Sequence, residues 1–310
     1  MKAASKRADA RSGVVHLEEA TTTAPPSIKF RRKPAKGSLR EQHRRGDFVP
    51  FFEGRPRETL TGIPTGLPKV DEATGGLSQL NVTGGPPGSG KSTFCVQLGS
   101  RAAERGGTFL FASLEMSKEL TSAMLIAHLV GAEKRDVLGG RLLASHKERL
   151  ESKVDGFGDH IHVYGRAATV ELAEWIQGRA LLIKPKSTLL VVDSLQKLAE
   201  RQHPGARTEK ERLDRTTTDL TKLVDRFGLA VIAIARIPKT GPTADFHFCG
   251  SGGIDFDADV TMTIRTRKTG SSAPHIVPVE LHVHKSRFGP SVAPIRLRHI
   301  TNETRFEEAP

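Results

Sequence analysis

Cysteine, tyrosine and tryptophan are scarce in this chain: two, one and one among 310 residues. Two cysteines, Cys95 and Cys249, make neither a disulfide framework nor a zinc site. Cys95 reads instead as a small core residue on a helix. With a single Trp and a single Tyr, extensive stacking of nucleic-acid bases is not expected. No run approaches the roughly 18 apolar residues of a membrane span, so no membrane role is expected. The N-terminus has no apolar signal core, which argues against secretion and for a cytoplasmic protein. Apolar residues still make up 37% of the chain, enough for a sizeable core.

Charge is abundant and uneven. Of 47 Lys/Arg and 35 Asp/Glu, residues 1–45 hold 12 and 4, leaving 35 and 31 for the rest. A basic leader, densest at Arg31-Arg32-Lys33 and Arg44-Arg45, thus precedes a nearly balanced body. Residues 1–57 show no sustained period and read as a largely disordered tail; 58–310 read as one folded domain. Such a tail can attract phosphate backbones by counterion release, or meet a loading or replication and repair partner. It reads equally well as a solvated leader without a dedicated partner. Asp47–Glu53 (DFVPFFE) stands out for three phenylalanines; it reads as an ordinary tether packed over a surface groove, or as a segment that docks on the body or on a neighbouring subunit.

The richest stretch is GGPPGSGKST, Gly84 to Thr93. Gly85, Gly90, Lys91 and Ser92 complete the spacing G-x-x-x-x-G-K-[ST]. A triphosphate needs several inward N–H donors, a cation and a hydroxyl that helps hold a metal ion. Glycines let a loop curl so that its N–H groups converge. Gly85, Pro86, Pro87, Gly88, Ser89, Gly90, Lys91, Ser92 and Thr93 are therefore the nucleotide-binding candidates. Lys91 would reach the β- and γ-phosphates and Ser92 would ligate magnesium. Context agrees: Leu80–Thr83 reads as a strand, Cys95, Leu98 and Ala102 recur at helical spacing, and Gly106-Gly107 stops the helix.

Downstream, apolar strands alternate with helices. Strands are expected at Gly107–Ala112, His160–Tyr164, Thr188–Asp193 and Ala230–Ala235. Helices are expected at Lys118–Val130 with Leu120, Met124 and Leu125 on one side, at Val170–Ile183, and at Leu213–Phe227. This predicts an α/β fold with a mostly parallel, twisted sheet covered on both faces. After Gly253 the pattern becomes alternating, at Val260/Met262/Ile264 and Val277/Val279/Leu281/Val283. Half-buried strands forming an antiparallel C-terminal extension are expected there. His282 and His284 fall on the polar face.

Ligands in such sheets sit beyond the carboxyl ends of the strands. Asp193 ends an apolar strand and can hold magnesium directly or through water; a helix-capping Asp is the alternative. Glu115 also follows a core strand, where a carboxylate can orient water and accept its proton; a surface Glu opening a helix is the alternative.

Ser113–Ser117 (SLEMS), preceded by IPTGLPKVDEATGGL and followed by VVDSLQKL, resembles the ATPase domain of DnaB-type replicative helicases. Gly252–Asp259 is similar to that family's glycine, isoleucine and acid-rich segment, and His284–Pro290 (HKSRFGP) to its basic motif. The latter also resembles the Lys-x-Arg-Phe-Gly motif of RadA-type recombination ATPases. The likeness covers roughly residues 58–308. It implies a RecA-like fold, hydrolysis of ATP with Mg2+, and assembly as a homo-oligomeric ring, a hexamer, moving on single-stranded DNA. By the resemblance Glu115 is the catalytic base, while Lys285 and Arg287 reach a neighbouring subunit's γ-phosphate; without the resemblance those two read as a basic strand end facing water. Residues 197–210 and 237–253 correspond to central-channel loops, making Arg207, Lys210 and Lys239 candidates for backbone contact with DNA. Arg236 departs from the pattern: DnaB-type proteins usually carry Gln there and RadA-type proteins His. The residues also leave room for a RadA-like repair ATPase, or for a regulatory nucleotide-binding protein with no nucleic-acid role.

Overall fold

The computed structural model describes residues 62–168, 170–237, 252–267, 274–290 and 292–309. The basic tail, Asp47–Glu53, Lys239 and Cys249 lie outside the described residues.

Local signals in the sequence set the element ends. Helix α1 (Pro68–Thr74) opens on proline and ends at Gly75, in the left-handed conformation with φ 70°. Strand β1 (Leu80–Gly85) runs into the phosphate loop and helix α2 (Lys91–Glu104) leaves it. After β2 (Thr108–Ser113), the Ser117 side chain accepts the Leu120 N–H and so starts α3 (Lys118–Val130), which Gly131 ends at φ 71°. Two further helices, α4 (Lys134–Leu138) and α5 (Ala144–Phe157), precede β3 (Ile161–Gly165) and α6 (Leu172–Gln177). Next come β4 (Thr188–Asp193), α7 (Leu195–Gln202), α8 (Glu209–Phe227) and β5 (Ala230–Arg236). The chain closes with α9 (Gly252–Asp257), β6 (Val260–Thr266), β7 (Ile276–Ser286), β8 (Ile295–Ile300) and β9 (Arg305–Glu308).

Among the described residues, nine strands form one sheet in the order β3-β2-β4-β5-β1-β6-β7-β8-β9. Pairing is parallel from β3 to β6 and antiparallel from β6 to β9. The fold class is as expected: a mostly parallel sheet with helices and an antiparallel C-terminal part. The continuous apolar runs divide between two faces because successive side chains alternate. Phe109, Phe111, Leu189 and Val191 enter the core beneath α1, α2 and α3. Leu110, Ala112, Leu190 and Val192 enter the core beneath α6, α7 and α8. Both faces are dry, which is why these strands read as unbroken apolar stretches.

Several expectations need correction. The helix expected over Val170–Ile183 stops at Gln177, where Gly178 caps it, and a separate 3-10 turn covers Ala180–Leu182. α8 begins at Glu209, not Leu213, because Thr208 caps it by accepting the Glu211 N–H; its polar first turn carries no apolar period. Leu120 faces solvent at 39% exposure, while Met124 and Leu125 are buried. β6 is not half-buried: Thr261 and Thr263 are covered as fully as Val260 and Met262, since β6 lies between β1 and β7. The segment from residue 197 begins inside α7, so only the turn after Gln202 is a loop. α5, β8 and β9 lacked a readable signal. α5 buries no residue fully, and β9 buries only Phe306.

Candidate active site

β1 ends at Gly85 and the chain turns through Pro86–Gly90 into α2. Gly90 has φ 88°, and a Cβ there would stand 2.7 Å from Phe306 Cζ and 3.2 Å from His299 Nδ1. A Cβ on Gly85 would meet the Ile264 carbonyl oxygen at 2.5 Å. The loop is thus pressed against β6, β8 and β9 from below. Above it, Gly88 is exposed, and a Cβ there would meet nothing within 4 Å. Beneath the loop, Phe306 stacks on His299 at 4.3 Å between centroids and meets Phe94 edge-on at 5.4 Å. The Phe306 backbone is fastened to the Gln97 side chain by bonds of 2.6 and 2.9 Å.

Lys91 Nζ donates to the carbonyls of Gly85 and Pro86 at 2.8 and 2.9 Å. Burial holds its ammonium below the ordinary range; Asp193, Cys95 and Glu115 pull the other way, and Arg236 pushes further down. Ser92 Oγ donates to Asp193 Oδ2 at 2.6 Å. Burial raises the Asp193 carboxyl above its usual value; the Ser92 bond and nearby cations offset this in part, and the Glu115 charge adds to it. The Cys95 thiol is buried and pushed up by that burial and by Asp193, which fits an unreactive core residue.

Register brings the second carboxylate to the same rim. Ser113 pairs with Asp193 across β2 and β4, Asp193 with Ile234 across β4 and β5, and Arg236 with Gly85 across β5 and β1. Glu115, two residues past β2, accepts from Ser194 Oγ at 2.5 Å and from Arg236 Nη2 at 2.9 Å. Burial alone would raise its carboxyl; the Ser194 and Arg236 bonds and the charges of Arg236 and Lys197 outweigh that and hold it below the ordinary range. The Asp193–Ser194 peptide is cis. Gln196 Oε1 accepts the Arg236 N–H at 3.2 Å. Ser194, Gln196, His299 and Phe306 were not singled out from sequence. The first two adjoin Asp193 in the DSLQ run, whereas the last two carried no signal.

The remaining candidates lie elsewhere. Arg287 N–H donates to the Asp259 carbonyl at 3.0 Å, and Asp259 Oδ2 accepts the Leu80 N–H at 3.1 Å. Arg287 thus sits beside the start of β1, whereas the phosphate loop adjoins its end. Five strand steps separate the two, roughly 16 Å. The Arg287 guanidinium is paired with Asp259 at 3.0 Å and bonds the Phe256 carbonyl at 3.2 Å, as does Lys285 Nζ at 3.1 Å. Arg207 and Lys210 are exposed, the first just before α8 and the second in its first turn.

A protein-family model, the DnaB-like helicase C-terminal domain, matches residues 62–308. The chain belongs to that family. Solved structures agree on the fold of this DnaB-like domain. One solved ATPase domain is 19% identical, with TM-score 0.71 over 88% of this chain and 99% of that one. A DnaB-like replicative helicase, described with its interactions with primase, is 18% identical, with TM-score 0.70 over 85% of this chain and 68% of that one. A KaiC-like protein from Pyrococcus horikoshii OT3 is 16% identical, with TM-score 0.56 over 81% of this chain and all of the other. No curated protein sequence matches. The DnaB-like domain is a helicase-type ATPase domain. No helix among the described residues is long and apolar enough to cross a membrane.

The residues present suit Mg2+ and a nucleotide. Ser89 Oγ is buried at the base of the loop, with no partner among the described residues. Gly88 leaves open space above it. α2 offers a helix N-terminus, and Ser92 with Asp193 gives the oxygen ligands that a hard cation takes.

Proposed function

We propose that this chain is the motor domain of an ATP-dependent, ring-forming DNA helicase that translocates on single-stranded DNA. The observation that supports it most is the division between two rims. Lys91, Ser92, Asp193 and Glu115 share the carboxyl-end rim, while Lys285 and Arg287 stand at the other, beyond reach of their own chain's loop.

In this reading the loop N–H groups and Lys91 bind the β- and γ-phosphates of ATP. Ser92 Oγ and Asp193, directly or through water, would hold magnesium, which would neutralise phosphate charge when bound. Glu115 orients the attacking water and accepts its proton, at a carboxylate kept ionised by Ser194 and Arg236. Lys285 and Arg287 serve the site of a second copy, so that hydrolysis requires assembly; a guanidinium in that role is worth about 10³–10⁵ in rate in the best cases. Arg207, Lys210 and Lys239 track phosphates without reading bases.

The decisive experiment measures ATP hydrolysis with and without single-stranded DNA, and strand separation on a forked duplex. DNA-stimulated turnover with unwinding is the expected result. Turnover indifferent to DNA overturns the motor reading. Stimulation without unwinding favours a repair or recombination ATPase, a reading to which the Lys285-Ser286-Arg287-Phe288-Gly289 run also lends itself.

A further inference from the structure

Phe256 is 80% exposed, an aromatic side chain left in solvent beside Lys285 and Arg287. The fold holds it there. Ile254 and Ala258, two residues to either side, are fully buried in the core beneath α6, α7 and α8. Gly253 presses so close to α8 that a Cβ there would collide with the Asp214 carboxylate. Asp257 Oδ2 accepts from Thr217 Oγ1 of α8 at 3.1 Å. The Phe256 carbonyl accepts from Lys285 Nζ at 3.1 Å and from Arg287 Nη2 at 3.2 Å. Helix α9 is thus pinned on both sides and cannot roll to bury the ring.

The two cations decide what the ring meets. In the reading above they serve the phosphate loop of a second copy. The Arg287 N–H is tied to the Asp259 carbonyl at 3.0 Å, only three residues past Phe256. A contact that carries the Arg287 guanidinium to a partner's phosphates therefore carries Phe256 to the residues bordering them. The exposed part of that loop is Pro86-Pro87-Gly88. Its two pyrrolidine rings are apolar and fix the backbone φ. The Pro86 carbonyl is held by Lys91 Nζ at 2.9 Å and by the Ser89 N–H at 3.2 Å. Both surfaces are ordered before they meet, so their contact costs little conformational entropy. Charge agrees, with Lys285 and Arg287 on one surface and the Asp193 and Glu115 carboxylates beside the other.

We propose that Phe256 is the apolar anchor of the contact between subunits, and that it packs on Pro86 and Pro87 of the neighbouring copy's phosphate loop. The inference rests on the reading that Lys285 and Arg287 act in a second copy, and adds what holds that copy in place.

The test is assembly, measured by sedimentation velocity across protein concentrations with Mg2+ and a non-hydrolysable ATP analogue. The full chain is compared with its F256A, F256L, P86A/P87A and F256A/P86A/P87A variants. F256A should raise the concentration needed for assembly about tenfold, the effect of losing a partly buried aromatic side chain. F256L should raise it less. P86A/P87A should raise it too, and adding F256A to that background should cost little more. The ring is exposed in the single chain, so F256A should melt like wild type below the assembly concentration. ATP turnover of F256A should recover at high protein concentration, whereas that of R287A should not. F256A that assembles like wild type overturns the proposal. A full F256A loss in the P86A/P87A background also overturns it, because the ring then meets something else. Weaker binding of single-stranded DNA with assembly unchanged gives the ring to nucleic acid and overturns it as well. These failures leave the shared site standing as long as mixtures of R287A and K91A subunits recover turnover. A wild type that stays a single subunit at every concentration removes both.

Discussion

Replacing Gly90 with Ala tests how the phosphate loop is held. Gly90 has φ 88°, where a side chain costs about 1–2 kcal/mol. The new methyl would also stand 2.7 Å from Phe306 Cζ. The ring has little freedom to move: it is 2% exposed, stacked on His299, set edge-on to Phe94, and anchored by Gln97 on both sides of its backbone. Overpacking of that kind costs about 1–3 kcal/mol. The loop, open to solvent above Gly88, is the part that yields, and Lys91 and Ser92 move with it. If about 2 kcal/mol of the combined strain falls on the bound geometry, nucleotide affinity drops roughly thirtyfold. Whatever remains in the unliganded fold lowers Tm by about 2–4 °C per kcal/mol for a domain of this size. Titration of an ATP analogue, alongside thermal melts, reads both. The double variant G90A/F306L should regain part of the lost affinity, because leucine is shorter where the methyl needs room, while the φ strain persists. Wild-type affinity and Tm in G90A would refute the reasoning; failure of F306L to help would place the whole cost in the backbone.

Mixing R287A subunits with K91A subunits should restore part of the ATP turnover that each lacks alone, since each supplies the group the other has lost; no recovery at any ratio would remove the shared site. Ser92→Ala strips the buried Asp193 of its 2.6 Å donor, so it should cost about 1–3 kcal/mol of stability and raise the Mg2+ needed for half-maximal turnover. A Mg2+ titration of the ATPase that matches wild type would contradict the ligand assignment. His284 is pushed down to about 4 by burial and by the charges of His282 and Arg265, and it pairs with Thr263 Oγ1 at 2.8 Å. A histidine whose folded value lies below its unfolded 6.5 supports the fold at neutral pH and loses that support as pH falls from 6.5 towards 4. The Tm of H284Q should therefore fall less than that of wild type between pH 6.5 and 4; parallel curves would show that His284 does not titrate in that window.

The sequence by itself determined the parallel core and one rim of the site. Apolar runs such as Thr188–Asp193 announce a strand dry on both faces, and the G-x-x-x-x-G-K-[ST] spacing announces the phosphate loop after β1, because both are local consequences of chain geometry. Carboxylates at strand ends were legible for the same reason: in a parallel sheet the end of every strand lies on one rim. The tertiary structure alone decided the contacts made across the sheet between residues far apart in the chain. Phe306 and His299 lie more than 200 residues beyond Gly90 and carry no periodic signal, yet strand order places them under the loop. Arg236 looked like a mere departure from a family pattern until register set it beside Gly85 and within 2.9 Å of Glu115. Which rim Arg287 takes was not legible either: the antiparallel course of β7 carries it to the rim opposite its own chain's loop. Sequence spacing encodes which face a side chain takes; only strand order and direction decide which distant side chain it meets there.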